Sequence, residues 1–207
     1  MNNIYLLGGG GHCRSCIDVI EGTNSYEIVG IFDNIKNQNE TVHGYKQLGT
    51  DSDIDLWITS DDSALVCIGH IKSHARRKEL FDALINLKCK IPTIVSPHSY
   101  VSRKTQIGAG TIVMHGVVIN GGVTVGVNAI INSQSLLEHD VIVGDHTHVS
   151  TGAKINGGVS IGSGTFIGSG AIVHQGISIG SSCVVAAGSI VRESLEDYAW
   201  FPRRTEP

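Results

Sequence analysis

Glu138-His139-Asp140 puts an imidazole between two carboxylates. An imidazole titrates near neutral pH, so His139 is suited to take a proton from an attacking amine or hydroxyl, with a carboxylate to orient it. Asp140 and Glu138 compete for the orienting role, and residue order does not separate them. The plain alternative is a solvated polar turn. His148 follows nine residues later, and His115, His146 and His174 add further imidazoles. None pairs at a compact ligand spacing with cysteine or carboxylate, so no metal is expected. A second candidate lies near the start, where Gly8-Gly9-Gly10-Gly11-His12 follows the apolar Ile4-Tyr5-Leu6-Leu7. Backbone N–H groups at a glycine turn that opens a helix can hold a phosphate, and Asp33, about 20 residues on, is placed to accept a hydrogen bond from a sugar or base hydroxyl. Cys13 stands where the dinucleotide fingerprint needs its third glycine, so a dinucleotide cofactor is not expected. Cys13-Arg14-Ser15-Cys16 has redox-motif spacing without the surrounding motif, and thiols packed in a small α/β core are the simpler reading.

These groups need elements to position them. The first ninety residues read as a βαβ unit. Strands are expected at Asn3 to Leu7 and Glu27 to Phe32, with a helix from His12 to Glu21 between them. A further strand is expected at Ala64 to Ile68, and after Gly69 a helix from about Ser73 to Leu87. From Val95 to Val191 the pattern changes: an aliphatic residue recurs every six positions, seventeen times without a slip, through Ile119, Leu137, Ile155 and Val173. Seventeen of the 26 glycines fall between Val95 and Glu196, mostly one or three positions after an aliphatic residue. Each hexad reads as a short strand and a corner, and stacked hexads bury a continuous aliphatic column. Pro92 and Pro97 mark the passage between the two patterns. The expected domains are 1–91, 92–196 and a tail at 197–207.

Composition narrows the function classes. The formal net charge is -4 and no Lys/Arg run occurs, which argues against nucleic acid as a partner. Aromatic residues make up only 5%, so the core must be small and β-branched aliphatics. No apolar stretch approaches the roughly 18 residues of a membrane span, and the N-terminus lacks a signal-peptide pattern. A cytoplasmic location with five reduced cysteines is the expectation.

The hexads resemble the left-handed β-helix of hexapeptide-repeat acyltransferases; the handedness and the three hexads per 18-residue coil are implied by that resemblance. The whole chain is similar to a narrower family, the bacterial nucleotide-sugar N-acetyltransferases of the bacillosamine pathway together with the sialic acid O-acetyltransferases. The similarity rests on residues 4–12, on Phe32-Asp33-Asn34, on Ile68-Gly69 with Arg76-Arg77, and on the run from Leu137 to Ser150 followed by Gly152-Ala153-Lys154. It implies a small Rossmann-like domain that holds a nucleotide sugar, followed by a β-helix that binds acetyl-CoA between the subunits of a homotrimer.

On that resemblance His139 is the catalytic base, with Asp140 weighed over Glu138 as the acid that raises its basicity. Coil arithmetic then stacks Gly157 on His139, about 4.8 Å away, making its N–H the candidate oxyanion donor. His148 falls half a coil round, so a site shared by both histidines needs a neighbouring subunit. His148, Gly157, Ser169 and Ala187 are the expected CoA contacts. Gly10, Gly11, His12, Asp33, Asn34 and Gly69 are the expected nucleotide-sugar contacts, with helix capping as the alternative for His12. In the tail, Trp200-Phe201-Pro202-Arg203-Arg204 departs from the family's ending; Trp200 could stack on adenine and the arginines could meet CoA phosphates. The leading function is acetyl-CoA-dependent N-acetylation of a nucleotide-linked 4-amino-4,6-dideoxyhexose in surface-glycan synthesis. The alternatives are O-acetylation of sialic acid or a related nonulosonate, and a non-catalytic β-helix scaffold.

Overall fold

A computed structural model describes residues 2–34 and 41–202. The amino-terminal domain is a five-stranded sheet in the order β3-β4-β2-β1-β5, formed by β1 (Asn2–Leu7), β2 (Tyr26–Phe32), β3 (Thr41–Val42), β4 (Tyr45–Gly49) and β5 (Ser63–Val66). β1 pairs in parallel with both β2 and β5, as the βαβ reading requires. Helix α1 (Gly11–Thr23) buries Cys13, Cys16, Ile17, Val19 and Ile20, and it ends at Asn24 in the left-handed conformation. Helix α2 (Ile54–Trp57) is one turn, and α3 (Ala75–Leu87) packs Leu80, Phe81 and Leu84 inward. The β3–β4 hairpin and α2 carry too little periodicity to be read from sequence.

From Ile94 onward the chain winds as a left-handed β-helix of two-residue strands in three parallel sheets. Partners lie 18 residues apart: Ile130 pairs with His148, and His148 with Phe166. Fourteen of the seventeen repeating aliphatics are buried in one column, and Val95, Val101 and Ile107 pack partly buried at its lower end. From Ile107 to Val185 the third residue after each aliphatic turns the corner with positive φ. Most are glycine, while Asn128, Gln134, Asp140, His146 and Ser182 take the same conformation with side chains. The hexad register contracts after Val191. Leu195 and Phe201 become the next residues packed on the column, and Trp200–Phe201 pairs with Val184–Val185, so the solenoid runs on through 201.

The residue before each core aliphatic points outward, and its chemistry distinguishes the three faces. On the first face, Ile94, Ile112 and Ile130 are fully buried because α1 lies on them, with Met114 completing the same apolar cluster. Burying such a side chain is worth about 1.5–3 kcal/mol, so these residues hold the amino-terminal domain firmly on its own solenoid. The second face carries Tyr100, Val118, Leu136, Lys154, Ile172 and Ile190 in one vertical row, with Tyr100 60% exposed. The third face is mainly polar: Gln106, Thr124, Ile142, Ser160 and Ser178.

Candidate active site

His139 and Asp140 occupy the corner between the second and third faces. His139 Nδ1 and Asp140 Oδ2 are 2.9 Å apart, and both side chains are exposed. Glu138 turns away and accepts a hydrogen bond from Asn120 Nδ2 at 2.8 Å, so geometry assigns the orienting contact to Asp140. Asp140 takes φ +60°, and the carboxylate leans over Gly122 one coil below, where a Cβ would meet its Oδ1. The imidazole leans the other way, over Gly157. A Cβ at Gly157 would stand 2.5 Å from His139 Nε2, so only glycine leaves the ring in place. The Gly157 carbonyl accepts from Gly176 N–H, whereas its own N–H makes no hydrogen bond among the described residues. With Nδ1–H donated to the carboxylate, Nε2 is the free basic atom, on the side of an unused N–H donor.

Ser169 and Ala187 stack at a different corner, between the first and second faces, where Gly188 N–H donates to the Ser169 carbonyl. Ser150 and Ser169 hydroxyls meet at 3.0 Å. His148 belongs to neither group. It faces the amino-terminal domain, only 7% exposed, with Nδ1 2.9 Å from the His70 carbonyl and Nε2 3.1 Å from Asn132 Nδ2. The His12, His70 and Phe166 rings surround it. Burial lowers the His148 pKa to about 4 and that of His70 to about 3, so both are neutral at pH 7. The exposed corner that holds Ser169 and Ala187 is thus not where His148 points.

The expected acceptor residues gather at the carboxyl ends of β1, β2 and β5, where ligands bind in open parallel sheets. Gly10 is the N-cap of α1, and the buried Nε2 of His12 makes no hydrogen bond among the described residues. No atom lies within 4 Å of a Cβ built at Gly10 or Gly11, which leaves the first-turn backbone open. Gly69 abuts His12, and Asp33 lies against Gly9 while its Oδ1 accepts from Asn34 N–H at 2.8 Å. A cavity of about 50 Å³ adds Asp51, Ile68 and Arg76 to Asp33 and Asn34, and Arg76 pairs there with Asp51. Asp51 was not apparent from sequence, because no local pattern links it to Asp33.

Two of the remaining histidines, His115 and His146, have structural partners. His115 bridges Ser96 Oγ at 2.6 Å and Asp18 of α1 at 2.8 Å, and His146 stacks on His74. Among the described residues no cluster of three His, Cys, Asp or Glu could hold a metal ion, and no helix is long and apolar enough to cross a membrane. All five cysteines are buried and free. Trp200 lines a cavity of about 430 Å³ beside Glu193 and Glu196, and the tail arginines Arg203 and Arg204 lie outside the described residues.

Comparison with known proteins follows the same division. Residues 3–84 match the PglD N-terminal domain, and residues 158–193 match the hexapeptide repeat of succinyl-transferase. A variant of perosamine N-acetyltransferase from Caulobacter crescentus, solved with CoA and GDP-perosamine, is 26% identical, with a TM-score of 0.89 over 100% of this chain and 98% of its own. The acetyltransferase domain of PglB from Neisseria gonorrhoeae FA1090, solved with acetyl coenzyme A, is 25% identical, with a TM-score of 0.87 over 95% of this chain and 94% of its own. WeeI from Acinetobacter baumannii AYE shares the fold at 20% identity and a TM-score of 0.86, over 97% and 96%. No curated protein sequence matches the chain. Fold, site and likeness converge: residues 3–84 match the PglD N-terminal domain, and the chain as a whole is similar to the hexapeptide-repeat left-handed β-helix N-acetyltransferases represented by perosamine N-acetyltransferase and the PglB acetyltransferase domain.

Proposed function

We propose that the protein is an acetyl-CoA-dependent N-acetyltransferase acting on a nucleotide-linked 4-amino-4,6-dideoxyhexose in surface-glycan biosynthesis. The observation that carries this reading is the His139 imidazole, held through Nδ1 by Asp140 and set over the unused N–H of Gly157. The amine nitrogen attacks the thioester carbon while His139 Nε2 accepts its proton. The oxyanion is steadied by the Gly157 N–H, and the carbon–sulfur bond breaks as Nε2–H returns the proton to the departing CoA sulfur. Residues 1–91 hold the acceptor through Gly10, Gly11, His12, Asp33, Asn34 and Gly69. Residues 92–196 hold acetyl-CoA, with Gly157, Ser169 and Ala187 along the donor's path; His148, expected among the CoA contacts, is buried against the amino-terminal domain and serves docking instead.

Within one chain these groups lie at three separate places, so the reaction needs a homotrimer. Support comes from the apolar row on the second face, from Tyr100 to Ile190, which adjoins the His139 corner and has no cover in one chain. A three-fold axis parallel to the solenoid keeps axial height unchanged. His139 and His148 share one coil, so the neighbour's His12–His148 region stands level with His139. A cytoplasmic location fits the supply of acetyl-CoA and nucleotide sugars.

The test is release of CoA thiol from acetyl-CoA with UDP-, dTDP- and GDP-linked 4-amino sugars in turn. Turnover with one nucleotide series and an N-acetylated product is expected. No thiol release with any of them would sink the reading.

A further inference from the structure

Arg77 is the largest fully buried side chain, 1% exposed, and it has no carboxylate partner among the described residues. Nη1 and Nε of its guanidinium are held by main-chain oxygens from both domains, while the buried Nη2 makes no hydrogen bond among the described residues. Nη1 donates to the carbonyls of Val66 and Ile68, each at 2.8 Å, and Nε donates to the carbonyl of Asn128 at 3.0 Å. Val66 ends β5, and Ile68 precedes Gly69 and His70. Asn128 is a corner residue of the solenoid, held at φ +53°. The link is reciprocal, because Asn128 Nδ2 donates to the Arg77 carbonyl at 3.2 Å and lies 3.0 Å from His146 Nδ1. Burial lowers the Arg77 pKa only to about 10, so the group stays charged at neutral pH.

A buried cation is expensive, and an apolar side chain would pack α3 without that cost. What the guanidinium adds is direction: its planar donors fix three carbonyls that no apolar contact would orient. Two of them belong to the strand end that leads into Gly69 and His70, whose carbonyl meets His148 on the same face of the solenoid.

We propose that Arg77 is a positioning residue for acetyl transfer, fixing the acceptor-holding strand end of the amino-terminal domain at one height on the solenoid so that the acceptor meets the reacting coil. The inference rests on the reading under Proposed function that the amino-terminal domain carries the acceptor. A slip of one coil would displace the acceptor by about 4.8 Å, and misplacement of about 1 Å can already cost about 10²-fold in rate.

The experiment compares Arg77→Lys, Arg77→Met and Asn128→Gly with the wild type. Lysine keeps the charge without the fork, and glycine at 128 keeps the left-handed corner and its carbonyl while deleting the amide. In both Arg77 variants the KM for the nucleotide-linked amino sugar should rise about 10-fold or more as kcat falls, while the KM for acetyl-CoA stays within about twofold. Asn128→Gly should shift the same constants by less. Hydrogen exchange should accelerate at β5 and α3 and not along the upper coils. A merely structural role would lower the active fraction, and so kcat, at unchanged KM values. Unchanged acceptor KM and unchanged exchange would overturn the proposal; if the Arg77 variants do not fold, the same two readouts on Asn128→Gly decide it. A wild type that acetylates no nucleotide-linked amino sugar is a failure of the functional reading, and the exchange pattern then still decides whether Arg77 fixes the two domains.

Discussion

His139 and His148 sit on one coil, nine residues apart, in opposite surroundings. The first stands at an open corner with a carboxylate at 2.9 Å and a glycine beneath its ring. The second lies under the amino-terminal domain, hydrogen-bonded to a main-chain carbonyl, with its pKa lowered by burial to about 4. A histidine that must exchange protons needs water or substrate at one nitrogen and a fixed partner at the other. His139 has that arrangement, whereas both His148 nitrogens are committed. The comparison separates proton transfer from domain docking across half a coil, and four measurements test it.

The largest effect is expected at the open corner. His139→Ala should lower kcat by about 10²–10⁴-fold with little change in melting temperature. His148→Ala should instead cost about 1–3 kcal/mol of stability, since the His70 carbonyl and the Asn132 amide lose a buried partner. Initial rates and melting curves of both variants check this; a normal kcat in His139→Ala would move the base elsewhere.

Gly157→Ala comes next. The added methyl would displace the imidazole, whose Nε2 lies 2.5 Å from the built Cβ, and would crowd the oxyanion donor. A kcat loss of about 10²-fold is expected, by analogy with loss of one oxyanion donor, with a normal melting temperature. Wild-type kcat would show that neither the ring's position nor this N–H matters.

The third effect belongs to the buried side. An unfolded chain protonates histidine near pH 6.5, while His148 binds its proton only near pH 4. Between those values the unfolded state holds more protons, so this contribution is full above about pH 6.5 and is lost as pH falls towards 4. Its size is on the order of 3 kcal/mol, and His70 acts in the same direction. Melting temperature should drop from pH 7 to pH 5, and His148→Gln should flatten the slope. Stability that rises on acidification would contradict the burial argument.

The smallest effect is at Asp140. Glycine there would relieve the left-handed backbone by about 1–2 kcal/mol while freeing His139 to rotate. Asp140→Gly should therefore raise the melting temperature and lower kcat, by less than His139→Ala. A variant that loses both stability and activity would show that the corner is not strained.

Much of this was legible in the sequence, for reasons that particular residues expose. The six-residue recurrence from Val95 to Val191 fixes which side chains face inward, and the stacking of Gly157 on His139 follows from counting 18. What depends on one domain docking on another was not legible. Arg77 finds Asn128 across 51 positions, and Asp18 finds His115 across 97. One docking signal does lie in the sequence: the residue before each core aliphatic is itself apolar at Ile94, Ile112 and Ile130, spaced by a full coil, which marks a covered face. The same test marks Tyr100, Val118 and Leu136. The contraction after Val191 has no such signal, because Leu195 and Phe201 fit the column only once the last corner is shortened.

The 18-residue pairing also makes the protein a ruler. Each coil adds about 4.8 Å along the axis and returns every downstream side chain to its own face. Gain or loss of one whole coil between His139 and Ala187 would keep every face intact and change only how far the reacting corner stands from the far end of the donor's path. Any other length would rotate the upper coils out of register with those below. Reach can therefore change in this lineage only by whole graduations, with the chemistry at the bottom of the scale left unaltered.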